Sequence, residues 1–265
     1  MWKNGCVKIG NTEMYYVAFG KGPEKLAILP GLSDGLVTVK GKAVILSAPY
    51  RKYLRDYTVY MFSRKNVMPE GYSIRDMAED QVLALRSLGI DRVNLLGVSQ
   101  GGMIAQYMAI DHPEMVQRLV LAVTAPDANA VAKNTVSAWI SMARRGDHRA
   151  LMTDTAQKIY SEPYFRKYRA FLPLVARLTK PSSCDRLLKN ALAILRFDAR
   201  SELPKISCPT LIIAGSDDRA VGKDAAYQLK EAISDSELFV YEGLGHGAYE
   251  EAEDFYDRVF AFLRA

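Results

Sequence analysis

The sequence predicts an α/β fold, a mostly parallel central sheet flanked by helices, interrupted by a helical insertion. Three observations predict it. Apolar runs of strand length recur at residues 14–19, 26–29, 57–62, 93–98, 119–123, 210–214 and 238–241. Several are continuous rather than alternating, as in strands buried on both faces of a parallel sheet. Helical patterns stand between them, and the stretch 127–200 shows helical periodicity with no convincing strand.

The elements follow in order. The run at 14–19 ends at Gly20, and that at 26–29 is closed by Pro30-Gly31. Residues 57–62 are rich in aromatic and β-branched side chains, which suit a pleated surface. Ser73, with Asp76 three residues later, opens a helix as a weaker form of the capping box. Its apolar stripe of Met77, Ala78, Val82, Leu85 and Leu88 holds helical period until Gly89. The strand at 93–98 leads directly into a helix over 101–110, which ends at Asp111-His112-Pro113. After 119–123 the rhythm changes. Helical patterns cover 131–143, 151–160 and 183–197, punctuated by Pro163, Pro173 and Pro181. The alternation then returns with a strand at 210–214, a helix at 222–233, a strand at 238–241 and a last helix at 249–263. Residues 1–126 and 201–265 therefore form one βαβ-built body with right-handed crossovers, and 127–200 an insertion into it.

Composition narrows the class. The chain has 265 residues, 49% hydrophobic and 25% charged, ordinary values for a soluble globular protein. The start, Met1-Trp2-Lys3-Asn4-Gly5-Cys6-Val7-Lys8, has no apolar core of a secretory signal. No run reaches the roughly 18 apolar residues of a spanning helix. A cytoplasmic location without stable membrane insertion is expected. The cysteines, at 6, 184 and 208, make neither a disulfide framework nor a metal site. No Gly-x-Gly-x-x-Gly follows a first strand and no Walker sequence occurs, so no cofactor is implied. The net charge is +5, but 127–200 carries 14 Lys+Arg against 6 Asp+Glu, a net of +8 that leaves the rest at −3. This excess could draw anionic substrates, although a solvated face on helices is the simpler reading. No basic run is interleaved with aromatics, which argues against nucleic acid and leaves a small-molecule substrate as the expected partner.

The residues that carry chemistry cluster at strand ends. Gly97-Val98-Ser99-Gln100-Gly101-Gly102 lies between a strand and a helix, the context a nucleophile elbow requires. There the Ser99 hydroxyl projects above the strand's carboxyl end, over a helix N-terminus that favours developing negative charge. A serine needs a base. Of three histidines, His112 sits at a helix end, and His148 lies among Arg144, Arg145 and Arg149, a poor place for a group that must become cationic. His246, in Gly243-Leu244-Gly245-His246-Gly247 after the last strand, is the candidate base. An acid should orient it. Asp217 and Asp218 both follow the strand at 210–214, and either fits the order Ser, Asp, His.

With these motifs the chain resembles the α/β-hydrolase fold superfamily, in its serine-hydrolase branch with a helical cap. The resemblance covers nearly the whole length and rests on Leu29-Pro30-Gly31-Leu32, the Ser99 elbow, Gly215-Ser216-Asp217-Asp218-Arg219-Ala220-Val221 and Gly245-His246. The family's G-x-x-D-x-x-V/P pattern selects Asp218, three residues after Gly215. The resemblance also implies an oxyanion hole from the backbone N–H groups of Gln100 and Leu32. Here Pro30-Gly31 replaces the family's usual His-Gly, a departure that leaves a main-chain donor in place. The insertion at 127–200 corresponds to the family's cap and offers Trp139, Met142 and Phe165, with Met152, Tyr160, Tyr164 and Phe171, as candidates for the pocket wall, although the cap's own core is the simpler reading for most of them.

Three classes of function fit. The first is hydrolysis of a carboxylic ester of a small or medium acyl or alkyl substrate, through Ser99, His246 and Asp218. The second is other triad chemistry on this scaffold: C–C bond hydrolysis, thioester hydrolysis, peptidase action, or cofactor-free perhydrolysis or lyase chemistry. The third is non-catalytic ligand binding, which a full set of Ser, Asp and His in order argues against. The serine at the elbow also argues against the dehalogenase and epoxide-hydrolase branches, which use Asp there.

Overall fold

The structure is a computed structural model that describes residues 1–265. Its strands are β1 (Trp2–Ile9), β2 (Thr12–Gly20), β3 (Glu24–Leu29), β4 (Tyr57–Phe62), β5 (Val93–Val98), β6 (Val116–Ala122), β7 (Thr210–Gly215) and β8 (Ser236–Tyr241). Helices α1 (Ala43–Leu46), α2 (Ile74–Ser87) and α3 (Gln100–Asp111) fall in the first half. Between β6 and β7 come α4 (Ala130–Arg144), α5 (His148–Ile159), α6 (Glu162–Tyr168), α7 (Leu172–Leu178) and α8 (Asp185–Leu195). The chain ends with α9 (Ala225–Ala232), α10 (Ala248–Glu251) and α11 (Phe255–Arg264).

All eight strands form one sheet in the order β1-β2-β4-β3-β5-β6-β7-β8. Only β1 with β2 and β2 with β4 pair antiparallel; the rest pair parallel. The continuous apolar runs reflect burial on both faces. In β5, Leu95 packs into the core on one side and Leu96 into the core on the other. In β6, Leu119 and Leu121 face as Leu95 does, and Val120 and Ala122 face as Leu96 does. α2 and α3 cover the first side through Met77, Val82, Ile104 and Met108, and α11 covers the second through Val259 and Leu263. The capping box of α2 is complete: the Asp76 N–H donates to Ser73 Oγ at 3.1 Å, and the Ser73 N–H donates to Asp76 Oδ2 at 2.8 Å.

Four details differ from the sequence reading. β1 carries no strong pattern because it is an edge strand whose only buried residues are Val7 and Ile9. β6 starts at Val116 rather than 119, since Gln117 and Arg118 are only half-buried and break the apolar run. α6 and α7 bury a single residue between them, Ala176, so they show no core stripe. The last helix is two, because Ala252 is extended at φ −78°, ψ 120° and separates α10 from α11. No helix is long and apolar enough to cross a membrane.

The register brings the strand ends that matter to one edge. Leu29 pairs with Gly97, Val98 with Ala122, Ala122 with Ile213 and Gly215 with Tyr241. The loops after β3, β5, β7 and β8 therefore share the carboxyl edge, where open α/β sheets bind ligands. The two ends of the helical stretch between β6 and β7 are stitched together below it. Asp127 and Asp198 form an antiparallel bridge, flanked by Ala128 N–H to Phe197 O at 2.9 Å and Ala199 N–H to Pro126 O at 2.9 Å.

Candidate active site

Ser99 is held in a turn few side chains tolerate. Its φ is +54° and ψ −119°, a region costly for any residue with a Cβ. Close packing holds it there. A Cβ at Gly97 would fall 2.6 Å from Gly102 Cα, and one at Gly101 would fall 1.8 Å from the Leu29 carbonyl oxygen. Strand and helix thus approach closer than any larger residue permits. Ser99 occupies the N-cap position of α3 but makes no side-chain cap hydrogen bond. Its hydroxyl lies instead 2.8 Å from His246 Nε2.

His246 Nδ1 in turn lies 2.7 Å from Asp218 Oδ2. Asp218 is buried, and its Oδ1 accepts the N–H groups of Ala220 at 2.8 Å and Val221 at 3.0 Å, so three donors orient one carboxylate. Asp217 is exposed, and its N–H donates to Leu244 O at 2.9 Å, tying the acid's loop to the histidine's loop. The structure therefore joins Asp218, not Asp217, to His246. The other histidines lie elsewhere. His112 caps α3 and pairs with Glu79 at 2.7 Å; His148 is buried with Nε2 3.5 Å from Thr179 Oγ1. Burial, with Lys180 nearby, holds the His148 imidazolium below its ordinary range.

The loop after β3 lies against the serine. A Cβ built on Gly31 would meet Ser99 Cβ at 3.3 Å and Oγ at 3.8 Å. The backbone N–H groups of Leu32 and Gln100 donate to no acceptor in the protein. Both follow residues that border the hydroxyl, the placement main-chain donors need in order to meet an oxyanion.

A buried polar network behind this loop has no counterpart in the sequence reading. Arg64, at the end of β4, is 1% exposed. Its Nη2 donates to Pro30 O at 2.6 Å and to Gln100 Oε1 at 3.0 Å. The Gln100 Nε2 donates to Asn190 O in α8 at 2.9 Å. Asp34 Oδ2 accepts the Arg64 N–H at 2.8 Å and Arg186 Nη2, also from α8, at 3.0 Å. Burial lowers the Arg64 guanidinium from its ordinary value, and Asp34 opposes that shift. No local signal in the sequence marks Arg64 as buried.

The helices between β6 and β7 also reach the histidine's loop. The Gly247 N–H donates to Ile159 O at 2.7 Å, and Ser161 donates through N–H and Oγ to Glu251 at 2.9 and 2.5 Å. A cavity of about 330 Å³ opens beside the β3 loop, lined by Pro30, Ser33, Val37, Met61, Met152 and others. Trp139, Met142 and Phe165 do not line it. Trp139 is buried, its indole N–H donating to Asp154 Oδ2 at 2.8 Å across α4 and α5. Met142 packs against the same core and Phe165 is half-buried on α6. The first two follow from helical period: their positions on α4 turn inward. A larger cleft of about 500 Å³ lies at the opposite sheet edge, by Glu24, Tyr57, Asn94 and Pro209, away from Ser99.

A family model described as the alpha/beta hydrolase fold matches residues 55–253, three quarters of the chain. The chain belongs to the α/β-hydrolase fold family. It is accordingly a hydrolase-family enzyme. RutD of Serratia proteamaculans (strain 568), named for carbamate hydrolysis, is 25% identical over 197 residues, 74% of each chain. The 2-hydroxy-6-oxononadienedioate/2-hydroxy-6-oxononatrienedioate hydrolase 2 of Pseudomonas putida is 28% identical over 266 aligned positions, 96% of this chain and 92% of that one. Among solved structures, MGS-M2, an alpha/beta hydrolase enzyme from a Medee basin deep-sea metagenome library, superposes with a TM-score of 0.88 at 21% identity, covering 98% of each chain.

Proposed function

We propose that this α/β-hydrolase cleaves a carboxylic ester of a small or medium acyl or alkyl substrate through a Ser99–His246–Asp218 triad. One observation carries the reading: a single imidazole stands 2.8 Å from a serine hydroxyl and 2.7 Å from a buried carboxylate, on opposite ring nitrogens. In this reading His246 keeps its proton on Nδ1, toward Asp218, so Nε2 accepts the Ser99 proton as Oγ attacks the carbonyl carbon. The carbonyl π electrons move to oxygen, which the Leu32 and Gln100 N–H groups receive, each contributing about 2.7–4 kcal/mol. The imidazolium then gives its proton to the leaving alkoxide, and an acyl-Ser99 ester remains. Water, deprotonated by His246, attacks the acyl carbon; Ser99 leaves as its alkoxide and regains the proton. The helical stretch 127–200 serves as a cap over this edge, and its contacts at Ile159 and Asn190 support that role.

A second reading is C–C hydrolysis by the same residues, favoured by the near full-length similarity to the Pseudomonas putida hydrolase, whose name specifies a dioate. Lys42 lines the cavity beside the β3 loop, a cation in reach of an anionic substrate group. The test is a panel of p-nitrophenyl esters graded by acyl length, a vinylogous diketo acid, and fluorophosphonate labelling, each with Ser99→Ala. Ester turnover and labelling lost together in Ser99→Ala are expected. An unlabelled, inactive wild type would sink both readings and leave ligand binding. Turnover of the diketo acid alone would select the second.

A further inference from the structure

The surface of α6 and α7 shows an amphipathic helix facing the wrong way for a core. Phe171, Leu174, Val175 and Leu178 fall at i, i+3, i+4 and i+7, the spacing of a buried stripe. Here the stripe points outward: Phe171 is 60% exposed, Leu174 56% and Leu178 75%. With Tyr168 and Val175, five of the chain's fourteen exposed large apolar residues fall within eleven positions. Exposed apolar area of this density marks an interaction surface.

Charge says what covers it. Between Pro163 and Cys184 there is no acidic residue and there are five cations. Arg166 is neutralised by Glu162 at 2.7 Å; Lys167, Arg169, Arg177 and Lys180 have no acidic partner. An outward apolar stripe edged by unpaired cations is the pattern of a helix lying in a lipid interface. A second copy of the chain would bring the same cations against these. The patch also borders the cavity beside the β3 loop: Thr179, next to Leu178, lines it together with Val37 and Lys42. Val37 is 45% exposed, and Val44 and Ile45 of α1, beside Lys42, are 69% and 76% exposed. Exposed apolar side chains at Val37, Val44 and Ile45, with Lys42 among them, thus adjoin the cavity as a rim.

We propose that α6–α7 and this rim dock the enzyme on an anionic lipid surface, without insertion, so that the cavity opens toward the lipid. The docking is independent of the bond that is cleaved, and its readout is binding alone. The full chain would be floated with vesicles of phosphatidylcholine containing 30% phosphatidylglycerol, and with phosphatidylcholine vesicles, at two salt concentrations. Binding to the anionic vesicles that weakens with salt is expected. Arg169→Gln/Arg177→Gln should reduce partitioning about thirtyfold, a little over fivefold per cation at the surface. Leu174→Ser/Leu178→Ser should abolish it, with helix content and melting temperature unchanged, since both side chains are largely exposed. Equal binding to both vesicle types, or none to the anionic ones, would overturn the proposal. So would a dimer in solution that Leu174→Ser/Leu178→Ser makes monomeric, because a second copy would then cover the stripe.

Discussion

Asp218 Oδ2 lies 2.7 Å from His246 Nδ1, and both side chains are buried, while neighbouring Asp217 faces solvent. Two adjacent aspartates therefore have different consequences. Asp218→Asn presents an amide to Nδ1 and favours the tautomer that cannot accept the serine proton; kcat on an ester should fall about 10⁴-fold. Asp217→Asn should stay near wild type. Steady-state kinetics of the two variants check this, and equal losses would refute the assignment.

Gly31 and Gly101 crowd the elbow in different ways. At Gly31, φ −71° and ψ −163° admit alanine, but its methyl would press on Ser99 Cβ at 3.3 Å, closer than ordinary van der Waals contact. Gly31→Ala should keep its melting temperature and lose about 10²-fold in kcat, the cost of displacing a reacting group. Gly101→Ala would drive a methyl within 1.8 Å of the Leu29 carbonyl oxygen, and should cost about 3 kcal/mol or more of stability. Thermal melts alongside kinetics separate the two.

The Gln100 side chain and the Gln100 N–H have separate duties. The side chain accepts from Arg64 and donates to Asn190 O, wholly buried. Gln100→Ala leaves a buried guanidinium short of an acceptor, and should cost about 2–3 kcal/mol in urea unfolding. In the proposed mechanism the oxyanion donor is main chain and survives, so kcat should stay within about tenfold. A hundredfold loss in a stably folded variant would show that the side chain holds the loop itself.

Stability should depend on His148 in acid. Folding lowers its pKa below 6.5, chiefly through burial, so near that pH the unfolded chain binds more protons than the folded one. Its contribution therefore falls as pH drops through about 6.5, and levels off below the folded value. His148→Gln should flatten this part of the urea midpoint against pH between 7.5 and 5. Parallel curves for the two proteins would contradict it.

The sheet was legible in the chain because each strand's own residues carry the signal. A strand buried on both faces must be apolar throughout, and residues 57–62 and 93–98 match β4 and β5 at both ends. Edge strand β1 was not legible because it buries too little for a period to show, and α6 and α7 were not because each runs only seven residues and none of their large apolar residues is buried. Ser99 and His246 stood out locally, through a Gly-rich turn between strand and helix and a histidine among glycines. The acid was ambiguous between Asp217 and Asp218 from spacing, and only the resemblance selected between them. In the structure the two separate: the Asp218 side chain turns under the β8 loop to His246, and Asp217 turns out to solvent. Arg64, Asp34, Gln100, Arg186 and Asn190 meet only after β4, the elbow and α8 have packed, across separations of up to 152 residues. Local sequence determined which strands and turns form, since backbone preference and burial act within a few residues. Tertiary structure decided which polar side chains lose water together, and hence which of them hold the site.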